Sequence, residues 1–268
     1  MLVMSDMSVL TDRLVQGGPS TGRLTLLGSW LTTLARAGSG ARVGDLGARP
    51  ARRLVLYEME NCPFSRKVRE ALTILDLDAD IRPCPEGSPH RRELQKLGGK
   101  EQVPMLHDPN TDVTLYDSER IVDYLFKRYG GGKAPARLRG GRWATWSSKL
   151  ASRLRGNRGT KAQGAVRPTL PLELWSYEAS PECRVVREAL GRYCLPYVLY
   201  NVGKNSAKKN KLVRISGGSE LPFLIDPNRG TRVLGADRIR DYLHETYGAS
   251  TSGVRPTPLR KVAPAPSG

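Results

Sequence analysis

One short stretch of this chain pairs a nucleophile with the surroundings that would activate it: Cys62, followed by Pro63-Phe64-Ser65 and the cations Arg66 and Lys67. Behind it, Val68, Ala71, Leu72 and Leu75 recur at the i, i+3, i+4, i+7 spacing of a helix, and Pro63 suits its first position. The sulfur therefore falls at a helix N-terminus, where unpaired N–H groups and the positive end of the dipole favour a thiolate. A thiolate so held is the attacking group of thiol–disulfide exchange. The other cysteines lack this setting. Cys183 falls one turn into a second helix and is expected to be a core or half-buried thiol, and Cys84 and Cys194 stand in no recognisable motif. There is no C-x-x-C pair, which excludes a disulfide scaffold and a zinc ribbon. With only His90, His107 and His244 to add, no metal site is expected.

The elements that position Cys62 occur twice. Arg69-Glu70-Ala71-Leu72 returns as Arg187-Glu188-Ala189-Leu190, Asp108-Pro109-Asn110 as Asp226-Pro227-Asn228, and Asp123-Tyr124-Leu125 as Asp241-Tyr242-Leu243, all at an offset of 118 residues without insertion. Pro63 and Pro104 match Pro181 and Pro222. So many coincidences at one spacing mean a duplicated unit, over 53–130 and 171–248. Each copy opens with a short apolar run suited to a buried strand, Leu54-Val55-Leu56-Tyr57 and Leu172-Glu173-Leu174-Trp175. A helix follows, then a strand, a polar helix around Arg91–Leu97, a strand from Val103-Pro104-Met105-Leu106, a hairpin over Asp108-Pro109-Asn110 and a closing helix with Ile121, Leu125 and Tyr129 on one side. The predicted class is α/β, in the order β-α-β-α-β-β-α, twice.

That order, with a Cys-Pro-x-x turn opening the first helix and Val-Pro before the third strand, resembles the thioredoxin-like domain of glutaredoxins and the N-terminal half of glutathione S-transferases. The pairing of two units, with Arg82-Pro83-Cys84-Pro85-Glu86-Gly87-Ser88-Pro89 and Gly98-Gly99-Lys100 in the first, resembles the tandem glutathione S-transferase N-terminal-domain proteins of plants and algae, many of them plastid-targeted. The resemblance implies glutathione as ligand or substrate and a catalytic turn of Cys62, Pro63 and Ser65. It also implies a cradle in which a cis Val103-Pro104 pairs with the cysteinyl part of the tripeptide. Asp117-Ser118 would hold the γ-glutamyl end, and Gln102 would face the opposite end. Two departures stand out. Neither unit is followed by the helical domain that forms the electrophile pocket of transferases, and neither has the second cysteine of a dithiol glutaredoxin.

The second copy serves as an internal control. There Cys62 becomes Ser180, Asp117-Ser118 becomes Gly235-Ala236, and Gln102 becomes Glu220, whose charge would repel glutathione. The expectation is one intact site and one degenerate one. Two functions follow from different classes: a glutathione-dependent thiol oxidoreductase, or a non-catalytic scaffold or assembly subunit.

Charge says less than its size suggests. Of a net +17, the stretch from Lys133 to Arg167 carries ten basic and no acidic residues, so the excess is largely a basic connector (131–170) and not a nucleic-acid-binding domain. No nucleic acid is expected as partner. Trp143, Trp146, Leu150 and Leu154 share one helical face within 142–155, and Leu27, Trp30, Leu31 and Leu34 make a similar stripe within 23–36. These basic amphipathic helices either dock on their own domains or meet an anionic membrane surface or a protein partner. Residues 1–22 read as a targeting or disordered segment, plastid-directed if the resemblance extends so far, and 249–268, rich in Pro, Ser and Gly, as a disordered tail. No apolar run reaches the ~18 residues of a membrane span.

Overall fold

The computed structural model describes residues 40–139 and 160–248. The stripes within 23–36 and 142–155, the segment 1–22 and the tail 249–268 lie outside the described residues.

Apolar alternation and turn residues produce the predicted order in each copy. In the first unit β1 (Leu54–Glu58) leads to α1 (Pro63–Ile74), β2 (Ala79–Pro83), α2 (His90–Gly98), β3 (Met105–Asp108), β4 (Val113–Tyr116) and α3 (Ser118–Tyr129), with a short α4 (Ala136–Arg139) after it. The second unit repeats this as β5 (Leu172–Ser176), α5 (Pro181–Arg192), β6 (Tyr197–Asn201), α6 (Lys209–Ser216), β7 (Phe223–Asp226), β8 (Thr231–Leu234) and α7 (Ala236–Tyr247). Pro63 and Pro181 stand in the first turn of their helices. The hairpin Asp108-Pro109-Asn110 is pinned from below: the Asp108 carboxylate accepts from Tyr124 and Tyr129, as Asp226 does from Tyr242 and Tyr247.

The repeat alone does not reveal how the units join. All eight strands form one sheet, in the order β4-β3-β1-β2-β6-β5-β7-β8. The join is antiparallel between β2 and β6, with Ala79 opposite Leu199, Asp80 opposite Val198 and Ile81 opposite Tyr197. Val198 is the repeat equivalent of Asp80, so the two edges meet about an approximate two-fold axis, as two identical subunits would. Neither β2 nor β6 is left as an open edge. One apolar core runs across both units on the helix side, joining Leu54, Leu56, Val68 and Leu72 to Leu172, Leu174, Val186 and Leu190. The opposite face holds two smaller clusters, Tyr57, Cys84, Leu94 and Met105 under α2, and Trp175, Val202, Leu212 and Phe223 under α6.

The duplication also starts earlier than the sequence coincidences show. A strap before each first strand clasps the other unit and then returns to its own. Val43 N–H donates to Lys204 O (2.9 Å) and Lys204 N–H to Ala41 O (2.8 Å), after which Gly44 N–H reaches Ile74 O (2.7 Å). Likewise Ala162 N–H donates to Glu86 O, Glu86 N–H to Thr160 O and Gln163 N–H to Arg192 O, each at 2.8 Å. The strap offset is 119, not 118, and few of its side chains match; backbone pairing asks for no particular side chain.

Candidate functional site

Sheet register brings the predicted site residues to one end of the first unit. Tyr57 of β1, Met105 of β3 and Tyr116 of β4 lie in one row across the sheet. Cys62 follows β1 by four residues, Pro104 immediately precedes Met105, and Asp117 immediately follows Tyr116. All three therefore emerge at the same edge.

Cys62 is the N-cap residue of α1, with extended backbone (φ −82°, ψ 120°) and its carbonyl accepting from Arg66 N–H at 3.0 Å. Its sulfur makes no capping hydrogen bond and the residue is 8% exposed. Pro63 is half-buried, and Phe64 beside it is exposed. Ser65 is fully buried, and its hydroxyl accepts from Met59 N–H at 3.3 Å, which fixes the loop between β1 and Cys62. Ser65 thus supports the turn from within the fold. The Val103-Pro104 bond is cis, with Val103 half-buried and Gln102 exposed. Asp117 caps α3, accepting from Glu119 N–H at 2.8 Å with φ +73°, and Ser118 is buried behind it. An ion pair between Lys67 and Glu119 ties the first turn of α1 to the first turn of α3, holding the Cys62 and Asp117 sides of the edge together.

The second unit keeps the frame. Leu221-Pro222 is also cis, but Ser180 uses its hydroxyl as an ordinary cap, accepting from Cys183 N–H at 3.1 Å, and Gly235 replaces the capping acid. Cys183 is fully buried, and burial pushes its thiol up. Burial likewise raises Cys84, packed with Tyr57 and Met105, and Cys194. Among the described residues no group of three or more His, Cys, Asp or Glu could hold a metal ion, and no helix is long and apolar enough to cross a membrane. A cleft of about 230 Å³ lies elsewhere, between the first strap (Arg42, Asp45), Ile74, Phe126 and Lys133.

Sequence reasoning missed the charged centre beneath the join. Arg69 lies 2.9 Å from Glu178 and 3.0 Å from Glu60, and Arg187 lies 3.0 Å from Glu60 and 2.8 Å from Glu178. These four form a closed square, all side chains 1–2% exposed, with Glu58 paired to Arg69 as well. Burial would raise Glu178, but Arg187 and Arg69 outweigh it and hold the carboxyl well below its usual range. Glu58 goes the other way, to about 7, because burial dominates and the pull of Arg69 and Arg187 is largely cancelled by the carboxylates of Glu60 and Glu178. A signal was present in the sequence: Glu60, Arg66, Arg69 and Glu70 recur unchanged as Glu178, Arg184, Arg187 and Glu188, four charges clustered around one helix start.

Fold and site together define a duplicated thioredoxin-like protein with a single cysteine-headed edge. The family described as Glutathione S-transferase, N-terminal domain matches residues 56–133 and again 174–251, and the chain belongs to that family, in tandem. Among curated proteins it is similar to the glutathione S-transferase-like proteins gedE of Aspergillus terreus and tpcF of Aspergillus fumigatus, at 33% and 31% identity over 67 residues. That stretch is 25% of this chain, and the chain spans only 30% of the length of either relative. Of solved structures, the trimeric glutathione transferase TDR1 of Leishmania aligns over 79% of this chain and 70% of its own, at 14% identity and a TM-score of 0.27, too low to support a structural comparison.

Proposed function

We propose that the first unit binds glutathione at the edge formed by Cys62, Val103-Pro104 and Asp117-Ser118 and carries out glutathione-dependent thiol–disulfide exchange there. The Cys62 thiolate attacks the glutathione sulfur of a mixed disulfide; the S–S bond breaks, and the other thiol leaves as a thiolate that takes a proton from water. A second glutathione, as thiolate, attacks the Cys62 adduct, releasing glutathione disulfide and restoring Cys62. Cys62 stands at the N-terminus of α1, and the Asp117 carboxylate with the N-terminal N–H groups of α3 suits the amine and carboxylate of the γ-glutamyl end.

The observation that carries this reading is the contrast between the copies. One fold is built twice with a cis proline in each copy, and Cys62 and Asp117-Ser118 stand on one edge and are replaced by Ser180 and Gly235-Ala236 on the other. Turnover of a glutathione mixed disulfide should be lost in Cys62→Ser while retention on immobilised glutathione persists. Equal rates for the two proteins would end the catalytic reading. One observation favours the scaffold alternative: Cys62 is only 8% exposed, which restricts the approach of a disulfide to its sulfur.

A further inference from the structure

The second unit, stripped of the candidate site, carries a feature its twin lacks. From Lys204 to Gly218 there are five cations and no acid, whereas the equivalent stretch Glu86 to Lys100 has four Lys or Arg and two Glu. The changes are directed: Glu86 corresponds to Lys204 and Glu93 to Lys211. In the first unit Arg91 is spent on backbone carbonyls of Cys84 and Pro85. In the second, Lys208 pairs with Asp76 and Asp78, while Lys204, Lys209, Lys211 and Arg214 are exposed, with no ion pair among the described residues. The strap adds Arg42, also exposed, bridged backbone to backbone with Lys204.

This placement works against the helix that bears it. α6 has Lys208 as N-cap without a side-chain cap, Lys209 in its first turn and no acid there, so cations crowd the positive end of the dipole. In α2 the first turn also holds cations, Arg91 and Arg92, but there Glu93 offsets them. A charge pattern that local stability disfavours, in the copy that has given up the compensating acid, calls for a role outside folding.

We propose that the α6 face is a docking surface for an anionic lipid bilayer. The surface is the outer side of α6, where Leu212 is buried and Lys209, Lys211, Val213 and Arg214 are exposed. The aromatic pair beneath it, Trp175 stacked on Tyr200 at 4.6 Å, lies under Lys211 and is covered: Trp175 is 1% exposed. Bases would find no stacking platform there. At the centre of the cations Val213 is 44% exposed, an aliphatic group placed to enter the headgroup layer while the lysines meet lipid phosphates and carboxylates. Duplication has then divided the labour, one copy keeping the thiol edge and the other holding the protein to a membrane.

The test is co-sedimentation of the full chain with phosphatidylcholine vesicles containing about 30 mol% phosphatidylserine, at low and high salt. The parent protein should bind in a salt-sensitive manner. The combined reversal Lys204→Glu, Lys209→Glu, Lys211→Glu, Arg214→Glu should lower the partition coefficient at least about tenfold with no loss of melting temperature. A control carrying Arg92→Glu, Lys96→Glu, Lys127→Glu and Arg128→Glu alters net charge equally and should retain most binding. The proposal is overturned if the parent ignores the vesicles, if it binds duplex RNA but not lipid, or if the two reversals weaken binding alike. None of these results bears on glutathione turnover, so its failure is separate from failure of the site in the first unit.

Discussion

Glu58→Gln isolates the group whose ionisation the fold opposes. Glu58 is buried at the end of β1, faced by Arg69 and Arg187 and by the carboxylates of Glu60 and Glu178. Its carboxyl titrates near 7 in the folded chain against an ordinary 4.5, a gap corresponding to about 3 kcal/mol at ~1.4 kcal/mol per pH unit. Because the folded value is raised, its contribution to stability is full below pH 4.5 and is lost as pH climbs through 7. Glu178 has the opposite sign: its folded value is depressed, so its contribution is present above the ordinary carboxylate range and disappears only in acid. Between about pH 5 and 8 the slope therefore belongs to Glu58. Glutamine keeps the shape and removes the titration. Urea unfolding followed by circular dichroism should show the parent losing up to about 3 kcal/mol relative to the variant across that range, while the variant stays nearly flat. A stability difference independent of pH, or a parent that gains stability as pH rises, would refute the reasoning.

Two further outcomes follow from burial. Arg187→Met removes the closest guanidinium of Glu178 and one of two at 3.0 Å from Glu60, leaving Arg69 with the more distant Arg66 and Arg184, and should destabilise the chain by ~3–5 kcal/mol, read from thermal melts, because buried negative charge is left under-compensated; a loss under ~1 kcal/mol would mean the square is solvated. Cys84 and Cys183, both fully buried and with thiols raised by burial, should remain unmodified by iodoacetamide in the native protein and react only on unfolding; early labelling of either, seen by peptide mass spectrometry, would contradict their packing.

Much of the site was legible because its signals are local. Pro63 at a helix start, Cys62 just before it and the Asp117 cap are each written within a few residues, and local sequence decides helix ends. The contrast between Cys62 and Ser180 needed only the repeat. That Cys62, Pro104 and Asp117 share an edge needed the strand pairing, in which antiparallel β3 and β4 return to the end where β1 finishes. The burial of Ser65 behind Met59 N–H was not legible, because a serine in a turn reads as solvated until the loop above it is placed.

What the chain dictated by itself was two copies of one β-α-β-α-β-β-α unit, a cysteine at one helix start and its absence from the other. Periodicity, turn residues and internal comparison are one-dimensional and survive on paper. The tertiary structure alone decided that β2 and β6 fuse the copies into one sheet, that the straps cross over, and that Arg69, Arg187, Glu60 and Glu178 lie in the interior. An arginine on a helix carries no mark of what will cover it. Only the approach of a second unit about the Asp80–Val198 axis removes the water and makes those charges answer to one another.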